Sequence, residues 1–130
     1  MTTPDPALLS VNTATLRAQW KLPEVIAGLA RHGIRGIAPW RDQVAAAGLD
    51  DSARRIRDAG LTVTGLCRAG MFPAPDRQRR QAALDDNRRA IEEAATLGAQ
   101  CLVLIAGGLP RRDRIEGPRR STRNGARRDR

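Results

Sequence analysis

The apolar residues of this chain follow two patterns, helical spacing and short continuous runs. The clearest helical face has apolar positions at i, i+3, i+4, i+7 and i+8, which are Leu22, Val25, Ile26, Leu29 and Ala30. Pro23 and the acidic Glu24 favour a helix start, and Gly33 favours its end. The pattern therefore predicts an amphipathic helix between Leu22 and Gly33.

Three further helical segments are predicted from caps and spacing. They are one helical turn at 44–48, a helix capped by Asp50 that runs through Ala59, and a long helix capped by Asp76 that runs to about Leu97. We expect Gly60 and Gly98 to end the last two. The residues expected to face inward are Ala53 and Ile56 in the first of these two, and Leu84, Ile91, Ala94 and Ala95 in the second.

Four apolar runs predict strands, and each of the last three follows a helix-ending glycine. The runs are Leu8–Thr13, Ile34–Trp40, Leu61–Cys67 and Cys101–Ala106. The last run is apolar without alternation, which is typical of a parallel strand buried on both faces. The repeat of helix, glycine and strand indicates successive right-handed βαβ units. A doubly wound sheet and a barrel of eight units both fit this pattern, although no Gly-x-Gly-x-x-Gly follows the first strand.

The charge of the chain is concentrated at its C-terminal end. The formal net charge is +9, but residues 1–110 carry 14 Lys and Arg against 11 Asp and Glu, whereas residues 111–130 carry 9 against 3. We expect 111–130 to be a disordered tail and residues 1–7 to be flexible. The tail offers phosphate contacts but no interleaved aromatic residues, so nucleic acid is the less favoured partner.

The cysteines and apolar runs also bound the cellular setting. Cys67 and Cys101 are too few and too far apart for a disulfide framework or a metal knuckle, and we expect both to be core thiols. No apolar run is long enough to cross a bilayer, and the N-terminus lacks the regions of a signal peptide. The chain is therefore expected to be cytoplasmic, with no membrane partner.

Four segments, each containing or following a predicted strand, carry a family resemblance. They are 10–15 (SVNTAT), 36–43 (GIAPWRDQ), 65–72 (GLCRAGMF) and 101–110 (CLVLIAGGLP). Together they resemble the sugar phosphate isomerase/epimerase family, whose members are xylose isomerase-like TIM barrels, over about residues 8–117. The expected fold is then α/β, a partial (β/α)8 barrel at 8–110 with four parallel strands and three to four helices.

The resemblance implies metal-dependent aldose-ketose isomerisation or epimerisation in full-length relatives, with a sugar or sugar phosphate as substrate. In those relatives a divalent metal polarises the carbonyl, while carboxylates or a histidine move protons. The metal-binding residues of the family come mostly from the second half of the barrel, so no metal is expected in this chain, which we expect to be inactive alone. Exposed strand edges favour a homo-oligomer.

Two alternatives remain, and the departure from the family near Pro118 carries its own hypothesis. The chain is alternatively a small basic nucleic-acid-associated protein, or a relative of the endonucleases that act at abasic sites and share this barrel; their metal-binding histidines have no counterpart here. A frameshift or premature stop accounts for the arginine-rich tail, and resequencing the locus tests this: non-coding DNA downstream would count against it.

Active sites of such barrels lie at the C-terminal ends of the strands. That rule selects the candidate substrate-binding residues Asn12, Trp40, Arg68, Gly107 and Gly108. Asn12 offers a hydrogen bond to a sugar hydroxyl, Trp40 a stacking wall and Arg68 an anion partner. The glycine pair allows the backbone to approach a ligand closely. The structural alternatives are a strand-end cap, a core aromatic, a surface salt bridge and a plain turn.

Three other polar residues are interpreted as structural. Asp42 and Asp76 are expected to be helix caps rather than metal ligands. His32 follows a helix, at the end of the barrel opposite the expected chemistry, where it complements the helix dipole. No catalytic and no metal-binding residue is therefore assigned.

Overall fold

A computed structural model describes residues 3–108 of the chain. Its strands are β1 (Ser10–Asn12), β2 (Gly36–Ala38), β3 (Thr62–Val63), β4 (Leu66–Gly70) and β5 (Leu102–Ile105). Its α-helices are α1 (Leu22–Arg31), α2 (Arg41–Ala47), α3 (Leu49–Asp58) and α4 (Arg77–Leu97), and short 3₁₀ helices lie at Pro6–Leu8 and Thr13–Leu16. The predicted tail at 111–130 lies outside the described residues.

Every strand pair in the described part of the chain is parallel. β2 lies between β1 and β3, with Ile37 opposite both Val11 and Val63, and β4 pairs with β5. An isolated parallel bridge between Trp40 and Cys67 joins the two groups. The strands therefore form one curved layer in the order β1, β2, β3–β4, β5, and the predicted partial TIM barrel is confirmed.

The predicted third strand is interrupted at Thr64 and Gly65. Its first part, β3, pairs with β2, while its second part, β4, pairs with β5. A Cβ atom on Gly65 would lie 3.1 Å from Cys101 Sγ, so this position sits close against the residue that leads into β5. The break therefore lies where the strand changes its main neighbour.

The core lies between the strand layer and the helices. Val25 and Leu29 of α1 and Ile56 of α3 are buried against Ile37 and Val63. The predicted inner face of α3 is thus correct, and that of α1 is correct except at Ala30, which is exposed. At about 25 cal/mol per Å² of apolar surface removed from water, burial of these side chains is the main stabilising contribution.

The helix ends agree with the sequence at some positions and disagree at others. Asp76 accepts a hydrogen bond from the backbone N–H of Arg79 at 2.8 Å, which confirms it as the cap of α4. Asp50 was expected to cap α3 but lies inside its first turn, and Gly48 is the N-cap residue. Helix α2 begins at Arg41, before the predicted single turn at 44–48, and ends at Ala47; α3 begins at Leu49, so Gly48, with φ of +91°, joins the two helices directly.

The inner face predicted for α4 is partly wrong. Leu84 and Ile91 are 40% and 61% exposed, and Ala95 is also exposed. The buried residues of α4 are instead Asn87, Ala90 and Leu97, which face the strands and α3. Long-range packing, rather than apolar spacing alone, sets the orientation of this helix.

The prediction that the last strand is buried on both faces is also wrong. Val103, Leu104 and Ile105 are each at least 40% exposed, because β5 has a neighbour only on the β4 side within residues 3–108. Cys67 is a buried thiol as expected, whereas Cys101 is exposed and is not a core thiol. Within the same residues, none of the helices combines the length and apolar character that a membrane span requires.

Candidate functional site

A depression of about 540 Å³ opens beyond the ends of β1 and β2 and beside the first half of β4. Its aromatic and charged lining residues are Arg17, Trp40, Arg41, Asp42, Arg68 and Asp86. This is the end of the barrel at which the sequence places the chemistry. Two of the predicted residues, Trp40 and Arg68, therefore line one site, although Arg68 lies within β4 and not after the strand end as expected.

Trp40 forms a fixed wall of the depression. Its backbone N–H donates to the hydroxyl of the buried Thr13 at 3.2 Å, and its indole N–H donates to Asn12 Oδ1 at 2.7 Å. The guanidinium of Arg17 lies 5.4 Å from the ring centroid, within the range of a cation–π contact. These contacts set the orientation of the ring. The ring is half-buried, so part of it stays open to the depression.

Asn12 acts first as a structural residue. Its Oδ1 accepts from the backbone N–H of Ala14 at 3.0 Å as well as from Trp40, so it caps the 3₁₀ helix after β1 and holds the indole. Within residues 3–108 its Nδ2 has no hydrogen-bond partner. That donor is the group through which Asn12 can still contact a ligand.

Arg41 lines the depression but has no donor left for a ligand. Its Nε–H and one Nη2–H bond Glu93 at 2.5 and 3.0 Å, and Asp86 accepts from Nη1 and Nη2 at 2.9 and 3.0 Å. The remaining Nη1–H reaches the carbonyl oxygen of Arg68 at 3.4 Å. All five guanidinium hydrogens are therefore engaged, and Arg41 ties α2 to α4 and to the middle of β4.

These hydrogen bonds explain the protonation behaviour of the group. Bonding to Glu93, and then to Asp86, raises the pKa of Arg41 above its ordinary value. The same guanidinium lowers the pKa of Asp86. Both partners are thus held in their charged forms.

The two remaining arginines at the depression differ in their partners. Arg17 is paired with Asp42, at 2.7 Å from Nη1 to Oδ2, and this hydrogen bond lowers the pKa of Asp42. Asp42 was expected to be a helix cap; it lies in the first turn of α2, and Trp40 is the N-cap residue. Arg68 is exposed, and its guanidinium has no ion-pair or hydrogen-bond partner anywhere between residues 3 and 108.

The two predicted glycines do not line the depression. Gly107 has φ of +90°, and a Cβ atom there would lie 3.2 Å from the Cα atom of Met71, so it packs against the loop after β4. A Cβ atom on Gly108 would meet nothing within 4 Å. The close approach predicted for Gly107 is to the protein itself.

Three residues of the site were missed from the sequence. Arg17, Arg41 and Asp86 lie in elements where charged side chains usually face solvent. The one signal that points to Arg41 is its place directly after the strand end at Trp40. Nothing local marks Asp86, because its role depends on packing between α4 and α2.

The described residues do not fit the divalent metal of the family. Among residues 3–108, no three His, Cys, Asp or Glu side chains stand together in a group able to hold a metal ion. The carboxylates beside the depression, Asp42 and Asp86, are each paired with an arginine. No step through a metal is therefore derived from this part of the chain.

Comparison with known proteins gives a consistent result. Residues 26–128 match the family model described as xylose isomerase-like TIM barrel. This match continues past residue 117, where the resemblance was expected to end. Among curated proteins, none matches the chain.

Two solved structures share the fold. Protein SMc04130 from Sinorhizobium meliloti 1021 is 60% identical with a TM-score of 0.76, and the match covers 78% of this chain and 37% of that one. A xylose isomerase-like TIM barrel/4-hydroxyphenylpyruvate dioxygenase fusion protein is 23% identical with a TM-score of 0.63, covering 77% of this chain and 17% of that one; this likeness shows the fold alone. The chain thus spans about a third of the length of the first protein.

Proposed function

Because the chain belongs to the xylose isomerase-like TIM barrel family, we propose that it forms the substrate-binding half of a sugar isomerase or epimerase pocket. The ligand class is a sugar phosphate or another anionic sugar. The observation that carries this proposal is the guanidinium of Arg68, which has no partner within residues 3–108, beside the fixed ring of Trp40.

Each residue has a role that follows from its contacts. The open part of the Trp40 ring packs against the C–H face of a sugar ring. Arg68 donates two parallel N–H groups to the phosphate or carboxylate, in the bidentate arrangement that guanidinium favours. The free Nδ2 of Asn12 donates to a sugar hydroxyl. Arg17 and Arg41, whose charges are already balanced by carboxylates, set the shape of the rim.

Turnover requires groups beyond these. Isomerisation needs a group that polarises the carbonyl and an acid or base that moves a proton between neighbouring carbons. In the part of the chain that the structure describes, the carboxylates at the depression are committed to arginines. We therefore propose that residues 3–108 bind the sugar and that the chain alone does not isomerise it.

Tryptophan fluorescence tests the binding role. Trp20 is replaced by Phe so that Trp40 alone reports, and the chain is titrated with fructose 6-phosphate and with fructose. The Arg68→Ala variant is expected to weaken phosphate binding by roughly 10- to 100-fold, the equivalent of about 1.5–3 kcal/mol for hydrogen bonds to a charged group. Its effect on free fructose should be small.

Arg31→Ala is the matched control. Arg31 is exposed at the end of α1, at the opposite end of the barrel, so its loss changes net charge equally without touching the depression. Equal binding by the two alanine variants would contradict the role of Arg68. Equal binding of fructose and its phosphate by the Trp20→Phe protein would contradict the ligand class.

A further inference from the structure

The strand layer has two open edges within residues 3–108. β1 pairs only with β2, and β5 pairs only with β4. Large apolar side chains stand exposed at both edges: Leu8 and Leu9 lead into β1, and Val103, Leu104 and Ile105 form β5, with Phe72, Leu84 and Ile91 beside it. Open edges of this kind are templates for pairing with another chain.

The two edges are compatible with each other. All strands run in the same direction, and β1, β2, β3–β4 and β5 occupy four successive positions of a layer. A closed barrel of this type has eight parallel strands. A second copy rotated by half a turn about the barrel axis supplies the other four, with β5 of each copy against β1 of the other.

We propose that this chain pairs with a second copy of itself in this way, closing one eight-stranded barrel. The contact joins two different edges, and it closes after two copies because residues 3–108 of each copy provide four of the eight strand positions. The order around the ring is then β1, β2, β3–β4 and β5 of one copy, followed by the same strands of the other.

The area of the exposed apolar surface supports a second copy as the occupant. Eight apolar side chains, five at the two edges and three beside β5, are 39–85% exposed. At a total surface on the order of 200 Å² for a large apolar residue, the exposed portions amount to roughly 800 Å² per copy, which matches the area that each partner buries in a standard stable interface. Residues 111–130 are the other candidate to cover this apolar surface, but with 9 Lys and Arg their composition is too polar to favour it.

The pairing also completes the site. Because all strands share one direction, the C-terminal ends of both sets open at the same mouth. Each copy then contributes its own Trp40 and Arg68 to a common pocket, which a single copy encloses on one side only. The barrel mouth therefore carries two anion-binding guanidinium groups related by the twofold axis.

The mass of the chain in solution is the first test. Analytical ultracentrifugation should give twice the 14.1 kDa of one copy. Leu104→Lys places a charge on the exposed β5 edge and is expected to give the single-copy mass with an unchanged circular dichroism spectrum. Ala27→Lys, at an exposed position of α1, is the control and should keep the doubled mass.

Three outcomes of that test overturn the proposal. They are a wild-type chain of single mass, as expected if residues 109–130 cover the β5 edge within one copy; a Leu104→Lys variant that stays paired; and an Ala27→Lys variant that dissociates as readily. The first two mean that the β5 edge does not pair two copies, and the third means that the effect of Leu104→Lys is not specific to that edge.

Cross-linking tests the arrangement without a disruptive substitution. With Cys67 and Cys101 replaced by alanine, a copy carrying Leu9→Cys is mixed with a copy carrying Leu104→Cys and treated with a short bismaleimide. The mixture should cross-link, whereas Leu104→Cys alone should not. Cross-linking of Leu104→Cys alone indicates that β5 of one copy lies against β5 of the other. A single chain that carries both Leu9→Cys and Leu104→Cys should give only two-copy products, and a ladder of larger products indicates an open filament. Both outcomes overturn the closed pair.

Discussion

Asn87 is the buried polar residue on which the pairing of α4 with the strand layer depends, and its replacement by alanine should be costly. The Oδ1 atom accepts from the N–H of Gly70 at 2.7 Å, and Nδ2 donates to the carbonyl oxygens of Gly70 and Ala83 at 2.8 and 2.7 Å. Asn87→Ala removes all three bonds. Both backbone polar groups of Gly70 then lose their side-chain partner in a buried location.

The expected magnitude follows from these bonds. Each contributes about 1 kcal/mol net, and a buried group left unpaired adds to the loss. Alanine recovers roughly half a kcal/mol through its better helix propensity. The free energy of unfolding should therefore fall by about 2–3 kcal/mol, which lowers the Tm by roughly 10–20 °C for a domain of this size.

Urea unfolding followed by circular dichroism measures this change. Gln78→Ala is the matched control, since Gln78 lies on α4, is exposed, and makes no side-chain hydrogen bond within residues 3–108. Hydrogen exchange of the Gly70 amide should speed up in Asn87→Ala and not in the control. If Asn87→Ala stays within about 0.5 kcal/mol of Gln78→Ala, the size of effect typical of surface changes, the reasoning is refuted.

Two further predictions concern one glycine pair and one ion pair. Gly70→Ala should abolish cooperative urea unfolding, because φ is +104° and the added Cβ would overlap the β5 backbone. Gly98→Ala, at φ of +63° with open space around it, should lower the free energy of unfolding by only about 1 kcal/mol. Equal losses of stability in the two variants contradict this. Arg41 holds the pKa of Asp86 below its ordinary value, so the resulting stability is present above about pH 4 and is lost as the pH falls through the lowered pKa. Urea unfolding across acid pH should show a steeper loss in the wild type than in Arg41→Gln, and equal slopes contradict the pairing.

Local signals in the sequence predicted much of the fold. Gly33 and Gly98 follow their helices with positive φ, as the pattern of helix and strand indicated. Asp76 caps α4 because an aspartate before a helical segment bonds its own neighbours, whatever surrounds it. The parallel layer follows from the repeat of these units. Each of these features depends on residues close together in the chain.

Features set by long-range packing could not be predicted in this way. The apolar run of β5 indicated burial, but burial depends on which elements lie on each side of the strand, and Leu104 is exposed. Asparagine is a residue type that is usually exposed, and Asn87 is buried because its side chain bonds both the N–H and the C=O of Gly70. The same holds for Arg41, whose partners lie 45 and 52 positions further along the chain.

Because all five guanidinium hydrogens of Arg41 are engaged within the protein, a variant of Arg41 affects the pocket only through its structure. A substitution of Arg41 removes the hydrogen bond to the carbonyl oxygen of Arg68. Arg68 therefore shifts, even though Arg41 itself does not contact a ligand. Weakened affinity in an Arg41 variant would accompany a lower melting temperature, whereas weakened affinity in an Arg68 variant would not. Measuring both quantities on the same samples separates the scaffold from the recognition group.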